Sequence, residues 1–124
     1  MKRLLLSILM ILTLAAAGVS AQDKAARRAF EKGLAAAGRE NFAAALGDFE
    51  RALTLAEPAA AGDDFRAAIY FNIGVCRYRL KDSARAVREF ETAIELKKGV
   101  YEKAFYALGM ADAELGDWPA AERA

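Results

Sequence analysis

Histidine is absent from this 124-residue chain, cysteine occurs once and proline twice. Without histidine the usual general base, the proton shuttle and the commonest metal ligand are all missing. A lone cysteine, Cys76, cannot close an internal disulfide, so an apolar core must hold the fold. In a helical context an unpaired thiol reads as a small buried apolar residue rather than as a bridge to another chain. Beyond the N-terminal stretch the only serine is Ser83, with no nucleophile-elbow pattern around it. There is no glycine-rich phosphate loop and no spacing that gathers metal ligands. Neither a cofactor nor a metal is expected, and catalysis within this segment is not expected either. An excess of one charge is also missing. Lysine and arginine total 18 against 17 acidic residues, interspersed, which leaves no electrostatic footprint for nucleic acid or an anionic membrane. No stretch alternates polar and apolar with period two, so strands are not expected.

What is present begins with a leader. Met1-Lys2-Arg3 is a positive start, Leu4 to Val19 is nearly unbroken apolar sequence, and Val19-Ser20-Ala21 offers small or short residues at a cleavage site. The apolar run is shorter than the ~20 residues that a membrane-spanning helix needs. A signal peptide over residues 1–21, cleaved after Ala21, is therefore expected, with a retained N-terminal anchor as the alternative. The absence of a cysteine after the run argues against a lipid-modified N-terminus. Export places the mature protein in a periplasm or outside the cell, with no membrane association after cleavage.

From Gln22 onward, alanine is abundant, β-branched residues are sparse, and apolar residues recur at spacings of three and four. Helix is the one regular structure this suggests. The breaks fall at Gly38-Arg39-Glu40-Asn41, Glu57-Pro58, Ala61-Gly62-Asp63-Asp64, Lys81-Asp82-Ser83, Lys98-Gly99 and Gly116-Asp117. They predict helices over about 24–37, 42–56, 64–80, 83–97 and 101–115 and a stub from 118. Asp63 and Asp64 are expected to cap the helix they precede. Arg85 and Glu89, like Glu91 and Glu95, lie four apart and predict a solvated face. Short connections make these helices antiparallel neighbours.

Aligning Gly33, Gly74 and Gly109 brings the rest into register. Leu46, Phe49 and Ala52 fall 41 residues before Val87, Phe90 and Ala93, and Leu53 and Leu55 match Ile94 and Leu96 at the same offset. Leu80 and Leu115 each sit six residues after their glycine, ahead of a turn containing Asp. Glycine within a helix costs roughly 0.5–1 kcal/mol against alanine, so three at one register point to close helix packing.

In this pattern the sequence resembles the tetratricopeptide repeat, a helix–turn–helix unit of about 34 residues. The first unit supplies Gly33, Phe42, Ala45, Phe49, Ala52 and Pro58. The second supplies Tyr70, Ile73, Gly74, Ala86, Phe90 and Ala93, and the third Phe105, Leu108, Gly109, Trp118 and Ala121. The resemblance implies an all-α, right-handed α-solenoid of antiparallel hairpins, with repeats at about 26–59, 67–100 and an incomplete one at 102–124. Ser83 departs from the family pattern, standing where an aromatic opens the second helix of a unit. Seven residues around Ala59 to Phe65 exceed the family period and read either as a longer loop or as an extension of the next helix. The third unit has its first helix and only the opening turn of its second. The chain therefore reads as the front part of a longer gene product, the alternative being a short protein completed by a partner.

The resemblance also implies where a partner would sit. The inner wall of such an array is lined by the first helix of each unit, at positions held here by Arg27, Phe30, Leu34, Phe71, Val75, Tyr78, Arg79, Lys103, Tyr106 and Met110, with Asn72 beside them. That set would suit an extended or helical segment, its apolar side chains in pockets and its carboxylates on arginine or lysine. Phe30, Leu34 and Val75 read equally well as core residues between helices. Some chaperone-binding relatives grip a C-terminal carboxylate with five clamp residues. Here only Asn72 and Lys103 match, while Phe30, Leu34 and Tyr106 occupy the other positions, so no clamp is expected. The function implied is an exported adaptor or scaffold of a bacterial cell envelope. Two alternatives remain: a non-catalytic N-terminal module of a larger envelope enzyme, and a structural module that self-associates through its incomplete third unit.

Overall fold

A computed structural model of the chain describes residues 21–56 and 61–116. The leader up to Ser20, Pro58 and the expected stub with Trp118 and Pro119 lie outside the described residues. Within them are five helices and no strand: α1 (21–38), α2 (Phe42–Ala56), α3 (Asp63–Arg79), α4 (Ser83–Leu96) and α5 (Glu102–Glu114). The all-helical, repeat-like reading holds, and the helix limits fall close to those predicted from the turn residues.

Each helix forms where its apolar residues keep to one side. In α2 the buried positions are Ala45, Phe49, Ala52 and Ala56, and in α4 they are Ser83, Ala86, Phe90 and Ala93. Spacings of three and four put each set on a single stripe, with charged residues opposite. By contrast, α3 is the interior helix, packing against α2, α4 and α5. It buries Ala67, Ile69, Ile73, Gly74 and Cys76, a band too wide for one amphipathic face.

The connections within the hairpins are built alike. After α1 the chain turns left-handed at Glu40 (φ 59°), and after α3 at Lys81 (φ 68°). At the first turn Asn41 N–H donates to Ala36 O at 3.0 Å and Glu40 N–H to Ala37 O at 2.9 Å. At the second, Asp82 N–H donates to Arg77 O at 2.8 Å and Lys81 N–H to Tyr78 O at 3.0 Å. This is the paired bonding of a Schellman ending, which satisfies carbonyls the helix leaves open. The next residue then caps the following helix: Asn41 Oδ1 accepts from Ala44 N–H and Asp82 Oδ1 from Arg85 N–H, both at 3.3 Å.

Two sequence readings are corrected here. Gly62, not an aspartate, is the N-cap of α3, and no side chain bonds the cap. Asp63 and Asp64 stand inside the first turn, where a negative charge still favours the helix N-terminus. Glu89 does not belong to a solvated face with Arg85. It turns to Arg77 of α3, 3.5 Å away, while Arg85 pairs with Asp82 at 3.6 Å. Of the excess residues before α3, Asp63 to Phe65 form its first turn, while 59 and 60 lie outside the described residues.

The glycine register has a direct steric cause. A Cβ on Gly33 would lie 2.6 Å from Cε1 of Phe49, and one on Gly74 2.6 Å from Cε1 of Phe90. Each aromatic ring of the second helix therefore rests on bare backbone of the first. Phe49 and Phe90 are both about 1% exposed, the largest fully buried side chains of the two hairpins. Cys76 joins the first of these cores, 1% exposed, and burial raises its thiol to about 11, so it stays protonated and unreactive. Arg77 ties the hairpins together from α3, meeting Glu50 of α2 at 3.1 Å, Glu89 of α4 at 3.5 Å and Asp82 of the turn at 3.8 Å.

Candidate functional site

The first helix of each hairpin, α1 and α3, together with α5, carries all the residues singled out as a binding wall. Their spacing puts Arg27, Phe30 and Leu34 on one side of α1. The same holds for Phe71, Val75, Tyr78 and Arg79 on α3 and for Lys103, Tyr106 and Met110 on α5. Side-chain contacts then join the three helices. Phe30 lies 5.5 Å from the Phe49 ring and 5.4 Å from Phe65 at the start of α3. Phe71 repeats the arrangement, 5.7 Å from Phe90 and 5.6 Å from Tyr101 just ahead of α5. Each of these rings is wedged between the second helix of its own hairpin and the first helix of the next.

Cations cover the same junctions. The Arg27 guanidinium sits 4.5 Å above the Phe65 ring, and the Lys103 ammonium 4.7 Å from Phe71 and 5.4 Å from Tyr101. Such contacts contribute about 0.5–1 kcal/mol at exposed sites. Arg79 packs 4.9 Å over Phe42 and reaches Glu40 at 3.8 Å. Glu40, Phe42, Tyr78, Arg79 and Lys81 line an open cleft of about 470 Å³ beside the two hairpin turns. The Tyr78 hydroxyl is raised above its ordinary value by burial and by the neighbouring Glu114 carboxylate. It remains a neutral donor at the foot of that cleft.

The expected wall therefore divides by burial. Phe30, Phe71, Val75 and Tyr78 are half-buried and pack against the cores, so they position the surface more than they present it. Leu34 (43% exposed), Met110 (40%) and Tyr106 (75%) face outward with Arg27, Arg79 and Lys103. Asn72 spends its amide on its own helix, donating to Ala68 O at 2.8 Å, rather than bridging helices. Sequence reasoning missed Phe65 and Tyr101. Phe65 lay in the stretch that exceeded the repeat period and Tyr101 at a helix edge. An aromatic at the start of successive first helices was the available signal. Among the described residues no group of three or more cysteine, aspartate or glutamate side chains could hold a metal ion.

The paired glycine–phenylalanine contacts and the repeated aromatic wedges are what stacked helical hairpins require. A family model described as tetratricopeptide repeat matches residues 26–99, from the first turns of α1 to the end of α4. The chain belongs to the tetratricopeptide-repeat family. Tetratricopeptide repeats generally mediate protein–protein interaction and are generally non-catalytic. No curated protein matches the chain. As a tetratricopeptide-repeat protein it offers no helix, among the described residues, long and apolar enough to cross a membrane.

Proposed function

We propose that this protein is an exported adaptor or scaffold of a bacterial cell envelope, which holds a protein or peptide segment along the face shared by α1, α3 and α5. The observation that carries the reading is the division just described: half-buried aromatics lock the three helices in line, and Leu34, Met110 and Tyr106 stand exposed along them between Arg27, Arg79 and Lys103. Apolar side chains with cations at their margins favour a segment that brings its own apolar residues and carboxylates. Export is supported by the leader, through Met1-Lys2-Arg3, the apolar run from Leu4 and the small residues before Gln22. In this reading the purified mature protein begins at Gln22.

The burial pattern also chooses the test. Truncating Phe71 or Tyr78 would disturb the core as well as the surface. Leu34 is exposed, so Leu34→Asp places a carboxylate on the wall without opening a cavity. A partner first identified from envelope extracts by affinity capture and mass spectrometry is then titrated against both proteins. Affinity falls by about 2 kcal/mol, roughly thirtyfold, if Leu34 is a contact of central importance. Glu91→Lys on the outer face of α4 leaves affinity unchanged. Equal binding by Leu34→Asp, with an unaltered melting temperature, would overturn the proposal.

A further inference from the structure

Each first helix in the array is covered by the next. Phe30 of α1 is met by Phe65, and Phe71 of α3 by Tyr101 and Lys103. By the glycine register the corresponding residue of α5 is Tyr106, followed by Met110, and no aromatic among the described residues meets either. Tyr106 is 75% exposed and Met110 40%. At the two ends of the same stripe stand opposite charges. Lys103 has no carboxylate partner among the described residues, its ammonium resting only on Phe71 and Tyr101. Glu114 accepts from the Tyr78 hydroxyl and has a long contact with Lys81, at 3.9 Å, with a third of its side chain (34%) still exposed. Positions 103, 106, 110 and 114 are three and four apart, so all four lie along one side of α5.

We infer that α5 is a docking face for a second copy of this chain, which pairs with it two-fold and antiparallel. The charge order decides the occupant. An antiparallel partner helix puts Lys103 opposite Glu114 of the second copy at both ends, and Tyr106 of each against Met110 of the other. A stripe that reads cation, apolar, apolar, anion is self-complementary in that orientation, as an isologous interface requires. Sulfur at a ring edge is a favourable contact as well.

Stacking head to tail, α5 on α1 of another copy, fits worse. At the register positions where α3 presents Phe65, Ile69 and Ile73, α1 presents Lys24, Arg28 and Lys32, all exposed. Alongside, Arg28, Lys32 and Arg51 line a cleft of about 280 Å³ with Ala25, Ala29 and one carboxylate, Asp48, which Lys32 meets at 3.8 Å. Seating α5 there would strip water from several cations that find no carboxylate on its stripe until Glu114. The pairing therefore closes at two copies instead of growing into a fibre. A 13-residue helix is about 20 Å long, so the interface lies toward the small end for protein pairs and the dimer is weak.

Sedimentation equilibrium over a concentration series tests this on the chain as expressed with its leader, in whatever processed form the cell delivers. A monomer–dimer equilibrium is expected, which Tyr106→Glu weakens at least about tenfold while circular dichroism stays unchanged. Lys103→Glu and Glu114→Lys each weaken it, and the two together restore it. A strict monomer at every concentration overturns the inference. So does a dimer indifferent to Tyr106→Glu, or charge reversals that fail to compensate each other. A second copy and the partner of the adaptor reading compete for Tyr106 and Met110. None of these readouts uses that partner, and Leu34→Asp leaves the dimer intact, so the two proposals fail separately.

Discussion

The Cβ that Gly74 lacks would lie 2.6 Å from one ring carbon of Phe90 and 2.8 Å from another, and real structures do not tolerate such approaches without movement. Phe90 is itself enclosed, so the ring cannot swing clear. Gly74→Ala is expected to destabilise the fold by about 1–3 kcal/mol, measured by urea denaturation, even though alanine is the better helix former. Gly33→Ala should behave alike against Phe49. This packing was legible in the sequence, because a glycine that recurs inside helices at one register has no other use. The opposite case is Lys81, held at φ 68° where glycine is preferred. At the same register Gly116 fills that place after α5, with φ 80°. Lys81→Gly is therefore expected to stabilise the protein by about 1 kcal/mol, read as a rise in melting temperature. Local chemistry also misled. Asp63 and Asp64 had the right residue type for a cap, but a cap depends on backbone geometry, which Gly62 provides with φ 88°. Ser83 was recognised as standing where the family has an aromatic. It is 5% exposed, its hydroxyl without a hydrogen-bond partner.

Among the elements, α3 joins the others. Its Arg77 reaches α2 and α4 at once, and the guanidinium and the Glu89 carboxylate are mostly covered. For Glu89, burial outweighs the attraction of Arg77 and raises the carboxyl above its ordinary value, with the Glu50 carboxylate adding to the rise. A carboxyl whose folded value is raised binds its proton more tightly in the folded state than in the unfolded one. Its contribution to stability is therefore fully present below the ordinary carboxylate range and is lost as pH rises through the raised value. Wild type is expected to lose stability relative to Glu89→Gln across that window, measured as the difference between their denaturation free energies at each pH. A flat difference would mean that Glu89 is as well solvated as its spacing from Arg85 suggested. That spacing misled for a simple reason. Intervals of three and four reveal partners on the same helix, whereas Arg77 comes from the preceding helix and across a turn. Helix limits were far easier to read, since the turn residues act within a few positions of themselves.

Across the whole molecule the array has a direction. Its α1 end carries Lys24, Arg28 and Lys32 where α3 carries Phe65, Ile69 and Ile73, while its α5 side exposes Tyr106 and Met110. Between them the aromatic wedges of Phe30 and Phe71 hold successive hairpins in line. The sequence assigned the expected wall residues to α1, α3 and α5 but could not divide them into presented and buried ones. That division depends on how far each following helix leans over its predecessor, a property of the stacked array and not of any residue interval. In the proposed function the protein takes hold of another protein through the face shared by α1, α3 and α5. The most direct measurement is site-specific photocrosslinking in the producing cell, with the reactive side chain placed at Leu34 or, on the outer face of α4, at Glu91. Crosslinks from Leu34 to a discrete partner, with none from Glu91, are the predicted result. Crosslinks from Glu91 alone, or equal yields from both, would contradict it.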